Sequence, residues 1–124
     1  MMDQHSEIFI SKNIMHIVSK GKMNIDILKK LHQEAIEKAK ENNINKYLIN
    51  HRQVSLDSDI NDALSFSFYV HENSGDVLEK IALLIPSDDP YLQRIYSIYK
   101  NSMALKGYKL NLFFDEGEAI QWLK

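Results

Sequence analysis

The residues of this chain best suited to chemistry fall in two short polar runs. Each run follows an apolar stretch: Asn50-His51-Arg52 after the first, and Pro86-Ser87-Asp88-Asp89 after the second. A guanidinium carries a planar fork of donors that matches a carboxylate or phosphate. Arg52 is thus a candidate anion holder, with His51 and Ser87 adding adaptable polar contacts and Asn50 and Asp88 beside them. Ser58, in Leu56-Asp57-Ser58-Asp59, stands where a helix is expected to begin, and the free amides of a helix start attract anions. The candidate binding set is therefore Asn50, His51, Arg52, Ser58, Ser87 and Asp88. The plainer alternative for Arg52 is an ion pair with Asp57, Asp59 or Asp62 that pins a loop.

Catalysis has no visible seat. There are no cysteines, which removes thiolate nucleophiles, disulfides and cysteine-based zinc sites. The four glycines are scattered, with neither a Gly-x-Ser-x-Gly elbow nor a glycine-rich phosphate loop. His5, His16, His32, His51 and His71 include no i,i+4 pair of metal-ligand spacing. Asp57/Asp59 and Asp88/Asp89 read as helix caps rather than as an acid and its base. The expectation is a protein that is not an enzyme, with no metal and no cofactor. Tyr91, Tyr96, Tyr99 and Tyr108 lack the basic surround of a base-stacking platform, so they are expected to pack over the core or against a second copy.

These residues need positioning elements. Glu7–Ser11 and Asn13–Lys20 are β-rich runs parted by Lys12-Asn13, which predicts a hairpin, with Gly21 breaking the second run. Asn24 is an N-cap candidate, and Ile25, Leu28, Leu31, Ala35 and Ala39 give an amphipathic helix ending at Asn42-Asn43. Lys46–Asn50 and Ile81–Ile85 read as buried parallel strands, joined by a helix from about Ser58 to His71 and a loop over Glu72–Asp76. Phe66, Phe68 and Val70 also fit a period of two. Asp89 caps a further helix with Pro90 in its first turn and a stripe of Leu92, Ile95, Tyr96, Tyr99 and Met103, stopped by Gly107. Tyr108–Phe114 is a half-polar strand suited to a sheet edge. Asp115 and Glu118 then open a short helix on which Ala119, Trp122 and Leu123 turn inward, with Trp122 as the expected core anchor.

Composition bounds the whole. The chain has 124 residues, 44% hydrophobic and 26% charged, with 4 glycines and 2 prolines, as one ordinary globular domain over 1–124 should have. A net charge of -2 argues against a nucleic-acid partner, which calls for a basic excess. The polar start and the brevity of Ile8-Phe9-Ile10 argue against a signal segment or a membrane span, making cytoplasmic residence the expectation. The element order is β-β-α-β-α-β-α-β-α. It predicts an α/β fold with a mixed, mostly parallel sheet, built from right-handed βα turns with helices packed against it.

The chain also resembles the SpoIIAA-like, or STAS-like, domains. The resemblance is carried by Tyr47-Leu48-Ile49-Asn50-His51-Arg52, by Lys80-Ile81-Ala82-Leu83-Leu84-Ile85, and above all by the ending from Gly107 through Phe113-Phe114-Asp115 to Ala119-Ile120-Gln121-Trp122-Leu123. It implies a domain used for binding or signalling without catalysis. Members that antagonise anti-sigma factors usually carry Asp-Ser-Ser/Thr-Gly with a phosphorylated serine. This chain has Leu56-Asp57-Ser58-Asp59, which lacks the glycine and crowds Ser58 with acid, so Ser58 is expected to be an N-cap or loop residue.

Two functional readings follow. The first is a non-enzymatic interaction or signalling module acting on a protein partner near the start of the second helix. The alternative is a binder of an amphipathic or anionic small molecule at the strand ends around Asn50, Arg52 and Ser87. A deep apolar pocket lined by Phe66, Phe68 and Tyr96 would favour the ligand. A closed core with an exposed apolar patch would favour the partner. The half-polar last strand and the nearby tyrosines also suggest a homodimer.

Overall fold

Lys12 and Asn13 both take the left-handed backbone conformation, with φ of 52° and 62°. Such a two-residue turn matches the twist of the strands it joins. It closes the hairpin of β1 (His5–Ser11) and β2 (Ile14–Met23), paired from His5↔Lys20 to Ser11↔Ile14. This computed structural model describes residues 4–124, so the first three residues of the polar start lie outside it. Gly21 does not break β2. The strand runs through it to Met23, with Gly21 at φ 91° and paired with Val54. Only glycine reaches that backbone without a steric penalty.

The remaining elements are α1 (Ile25–Asn42), β3 (Lys46–Leu56), α2 (Ile60–Ser74), a 3-10 turn (Gly75–Val77), β4 (Lys80–Leu84), α3 (Pro90–Leu105), β5 (Lys109–Phe113) and α4 (Glu116–Leu123). The strands lie in chain order, β1-β2-β3-β4-β5, with β1 antiparallel and the other pairings parallel, which leaves β5 at an edge. Crossovers of one hand between strands laid down in one direction put their helices on the same face. Accordingly α1, α2 and α3 share one face. Their Ala35, Ile36, Ala39, Val70 and Met103 form a core with Met15, Ile17, Tyr47, Ile81 and Leu110 of the sheet. The opposite face carries only α4, whose Ala119 and Leu123 pack on Ile14, Leu48, Ala82 and Leu84.

Local chemistry sets the helix ends. Asn24 accepts from the Ile27 amide, Asp89 from Leu92 and Asp115 from Glu118, each satisfying an amide the helix start leaves free. The cap of α2 is Asp59 and not Ser58. Its carboxylate accepts from the Asp62 amide, while the Asp62 carboxylate accepts from the Asp59 amide. At the other end α2 continues to Ser74, through the first three residues of the segment predicted to be a loop.

Buried hydrogen bonds fix how the helices sit. His32 of α1 bonds Ser74 of α2 at 2.8 Å. Ser67 of α2 bonds Ser102 of α3 at 2.6 Å and donates to the Leu64 carbonyl, while Lys106 donates to Ser102. His51 of β3 bonds the Tyr96 hydroxyl of α3 at 2.8 Å. Burial disfavours the imidazolium and pushes the pKa of both His32 and His51 down to about 4.

Trp122 is only half-buried and is not the anchor of α4. Ala119 and Leu123, one turn apart, face the sheet with no exposure. Trp122 is rotated away from that line, and its ring lies against Phe113 and under the Lys80 ammonium. Leu123→Ala should therefore cost about 2–5 kcal/mol and Trp122→Ala clearly less, as read from urea unfolding midpoints; the reverse ranking would contradict this packing. The buried histidines give a pH dependence of definite sign. The unfolded chain takes up its imidazole protons near pH 6.5 and the folded chain only near 4, so acidification through that window favours unfolding. His51 alone should account for a loss on the order of 3 kcal/mol. Unfolding curves of wild type and His51→Gln should converge as the pH falls from 7 to 4.

Candidate functional site

The predicted anion site at Asn50-His51-Arg52 is not at the end of a strand. β3 continues to Leu56, past the point where β4 stops opposite Asn50. Successive strand residues point to opposite faces, so the run is divided. His51 enters the three-helix face and meets Tyr96. Asn50 and Arg52 belong to the other side, where Asn50 Oδ1 accepts from the Arg52 amide and from its Nε. Arg52 makes no ion pair with Asp57, Asp59 or Asp62, and the only ion pair among the described residues joins His5 and Glu7. The pairing with β2 passes from Val18↔Asn50 to Lys20↔Gln53, so His51 and Arg52 together face Ser19. This bulge lets Val54 and Leu56 take the inward positions that Tyr47, Ile49 and His51 hold before it. Ser87 and Asp88 are exposed in the β4–α3 loop. Of the six candidates, His51 and Ser58 line one cavity, Asn50 and Arg52 belong to the other side of the sheet, and Ser87 and Asp88 are on the surface.

Ser58 lies in the β3–α2 loop. Its carbonyl accepts from the Tyr91 hydroxyl at 3.1 Å, and its own hydroxyl is buried without a partner. The helix start beside it is already capped by Asp59 and carries the Asp62 carboxylate. A phosphate on Ser58 would have to displace that cap and face both acids.

What the fold does bring together is centred on α2. The face that α2 buries consists of Ala63, Ser67, Val70 and Ser74. The face it exposes carries Ile60, Leu64 and Phe68, at 41%, 45% and 56% exposure. This reverses the usual partition. Of the three residues whose pocket would favour a ligand, Phe66 and Tyr96 line a cavity and Phe68 is on the surface. Tyr91, also exposed, extends the patch through its bond to Ser58.

Beneath α2 is a cavity of about 90 Å³. α2 rests on α1 and α3, and its Val70 reaches the core formed with Tyr47 and Ile81 of the sheet. The sheet supplies Ile17, Tyr47, Ile49, His51, Ile81 and Leu83 as floor, α1 supplies Leu28, Leu31, His32 and Ala35, and α3 supplies Ile95, Tyr96 and Tyr99. Ala63, Phe66 and Val70 of α2 form the roof. Phe66 stacks on both Tyr69 and Tyr99. Tyr96 and Tyr99 thus face inward, where burial raises their hydroxyl pKa values well above the ordinary one. The tyrosine stripe is core, which leaves the predicted dimer contact only Tyr91 and Tyr108 of its four tyrosines. The lining is apolar except at a few points. Tyr47 and Ser58 are lining residues, and their hydroxyls are the buried side-chain polar atoms that have no hydrogen-bond partner among the described residues. Such an orphan costs about 1–3 kcal/mol.

Sequence reasoning missed Ile60 and Leu64 and did not place Phe68 with them, although their i, i+4, i+8 spacing marks one helix face. It also missed Tyr47 and His32 as cavity residues, because no sequence signal reports a hydroxyl left without a partner.

Among solved structures the chain is similar to an uncharacterised protein of the DUF3478 family with a SpoIIAA-like fold from Shewanella loihica PV-4. The two are 16% identical, and the match covers 98% of this chain and 93% of that one at a TM-score of 0.64. It is also similar to an anti-sigma factor antagonist from Mycobacterium paratuberculosis, 13% identical over 98% and 94% of the two chains with a TM-score of 0.62. The anti-sigma factor antagonist SpoIIAA in its unphosphorylated form is 14% identical over 97% and 96%, with a TM-score of 0.55. No family model matches the chain, and no curated protein matches it in sequence. No helix among the described residues is long and apolar enough to cross a membrane. What this chain shares with its structural neighbours, over nearly the full length of each and with little common sequence, is architecture: the protein has the SpoIIAA-like fold.

Proposed function

We propose that the protein is a non-enzymatic interaction module that docks a partner protein on the outer face of α2. The observation that carries this reading is the inverted helix: Ile60, Leu64 and Phe68 face solvent while Ala63, Ser67 and Ser74 are buried. Three large apolar side chains one turn apart form a ridge roughly 12 Å long, and an exposed apolar patch of this kind marks an interaction surface. Its rim is acidic, with Asp57, Asp59 and Asp88 exposed on the adjoining loops. The partner that fits therefore presents an apolar groove flanked by lysine or arginine. A second copy fits less well, since a symmetric pairing through this face would set acid against acid. Two of the structural neighbours are named as antagonists of another protein, in keeping with a role exercised through protein contact.

The test begins with affinity capture from the host organism and proceeds with the purified partner. Leu64→Ser combined with Phe68→Ser should weaken its binding by more than tenfold, as loss of central apolar anchors does. Because both positions are exposed, the unfolding midpoint should change little. Asp57→Lys should reduce the association rate and its salt dependence. Undiminished affinity in the double variant, or association that proves to be self-pairing along β5, would overturn the reading.

A further inference from the structure

We infer that the side of β2 and β3 turned away from the three helices holds a binding site for the phosphate group of a small phosphate monoester, formed by Arg52, Asn50 and Lys20. The site is across the sheet from α2 and does not depend on what docks there.

The fold leaves this ground open. α4 packs on Ile14, Leu48, Ala82 and Leu84. Farther along β2 and β3, Val18 and Asn50 are half-buried, and Lys20, Arg52 and Gln53 are exposed. Ser19, Gly21 and Met23 are buried on the side of the helix layer, so alternation puts Lys20 on the open side. The bulge adds Arg52 to it. Between Val18↔Asn50 and Lys20↔Gln53, β3 has one residue more than β2. Arg52 and Gln53 therefore both turn outward before Val54 takes up the inward position again.

These groups are arranged to donate. Asn50 Oδ1 accepts from the Arg52 amide at 3.1 Å and from Arg52 Nε at 3.2 Å. Both partners are donors, so the carboxamide must turn its oxygen to them, which leaves its amino group as a donor on the other side. The same bonds orient the guanidinium by its Nε edge and leave its two Nη groups for a ligand. Lys20 lies opposite Gln53, and adjacent strands are about 4.8 Å apart, so its long side chain reaches a group held by Arg52. Neither cation has an ion-pair partner among the described residues. On β1, Glu7 lies opposite Val18 and is paired with His5. In register, Lys22 opposite Ser55 separates the set from Asp57.

The donor set selects the ligand. A carboxylate has two coplanar oxygens, which a single guanidinium fork satisfies. One fork, one carboxamide and one ammonium match the three terminal oxygens of a phosphate monoester, and two cations match its charge of about -1.5 to -2. Exposure keeps the affinity modest, because water and salt screen both cations.

The experiment titrates the full isotope-labelled chain with glycerol phosphate, inorganic phosphate and acetate in turn, at constant ionic strength, and follows the backbone amide signals. Expected are saturable shifts at Lys20, Asn50, Arg52 and Gln53 with both phosphates, at a dissociation constant of about millimolar, and binding of acetate at least tenfold weaker. Arg52→Ala should weaken phosphate binding about tenfold or more, as loss of a charge-assisted hydrogen-bonding group does. Arg52→Lys keeps the charge and loses the planar fork, so it should still bind about fivefold more weakly than wild type. Arg52 is exposed, and both variants should unfold at the wild-type midpoint. Shifts that do not saturate, equal affinity for acetate, undiminished affinity in Arg52→Lys, or shifts centred on Ser58 and the start of α2 would each overturn the proposal.

Discussion

The structure turns on how α2 is seated. Strands β2 to β5 are laid down in chain order and their crossover helices land on one face, which makes α2 the middle helix of three. Its inward side chains are short, Ala63, Ser67 and Ser74 among them. It therefore closes against α1 and α3, through the His32–Ser74 and Ser67–Ser102 hydrogen bonds, without filling the space down to the sheet. A helix held by its neighbours in this way has a cavity below it. Phe66 and Val70 roof that cavity, while three other large apolar side chains, Ile60, Leu64 and Phe68, lie on the side away from it. The exposed apolar face and the cavity both follow from this one arrangement.

The buried polar bonds make the seating specific. Ser67 and Ser102 meet at a largely apolar helix contact, where they bond one another as well as the Leu64 carbonyl and the Lys106 ammonium. The same holds for His51 and Tyr96. These pairs fix the register of α2 and α3 against each other and of α3 against the sheet, where apolar packing alone would tolerate sliding. Their cost is a sensitivity to acid, since the histidines must stay neutral for the helix layer to remain in place.

Much of this architecture could be read directly from the residues. The caps Asn24, Asp89 and Asp115, the stop at Gly107, the hairpin at Lys12-Asn13 and the edge position of the last strand are local signals, and the structure has each where it was expected. The misreadings have non-local causes. Beyond Asn50, β3 is paired on one side only, so its sequence is half polar and resembles a loop. Gly21 resembles a break because nothing near it in sequence reveals the partner Val54. α2 misleads because its hydrophobicity is inverted, which makes Phe66, Phe68 and Val70 look like alternation. Trp122 is overrated by size, where the geometry of this eight-residue helix turns Ala119 and Leu123, one turn apart, to the sheet instead. The candidate site was legible only in outline, as a region near the start of the second helix. Its content depends on which side chains remain exposed and which hydroxyls remain unpaired.

The central claim is that α2 is the working element, presenting its outer apolar face to a partner. Amide hydrogen exchange of the full chain, alone and saturated with its purified partner, tests it most directly. The account predicts that added protection concentrates in residues 59–69 and at the start of α3 around Tyr91, with β5 and α4 unchanged. Protection that appears along residues 109–123 while α2 exchanges as it does in the free protein would contradict it.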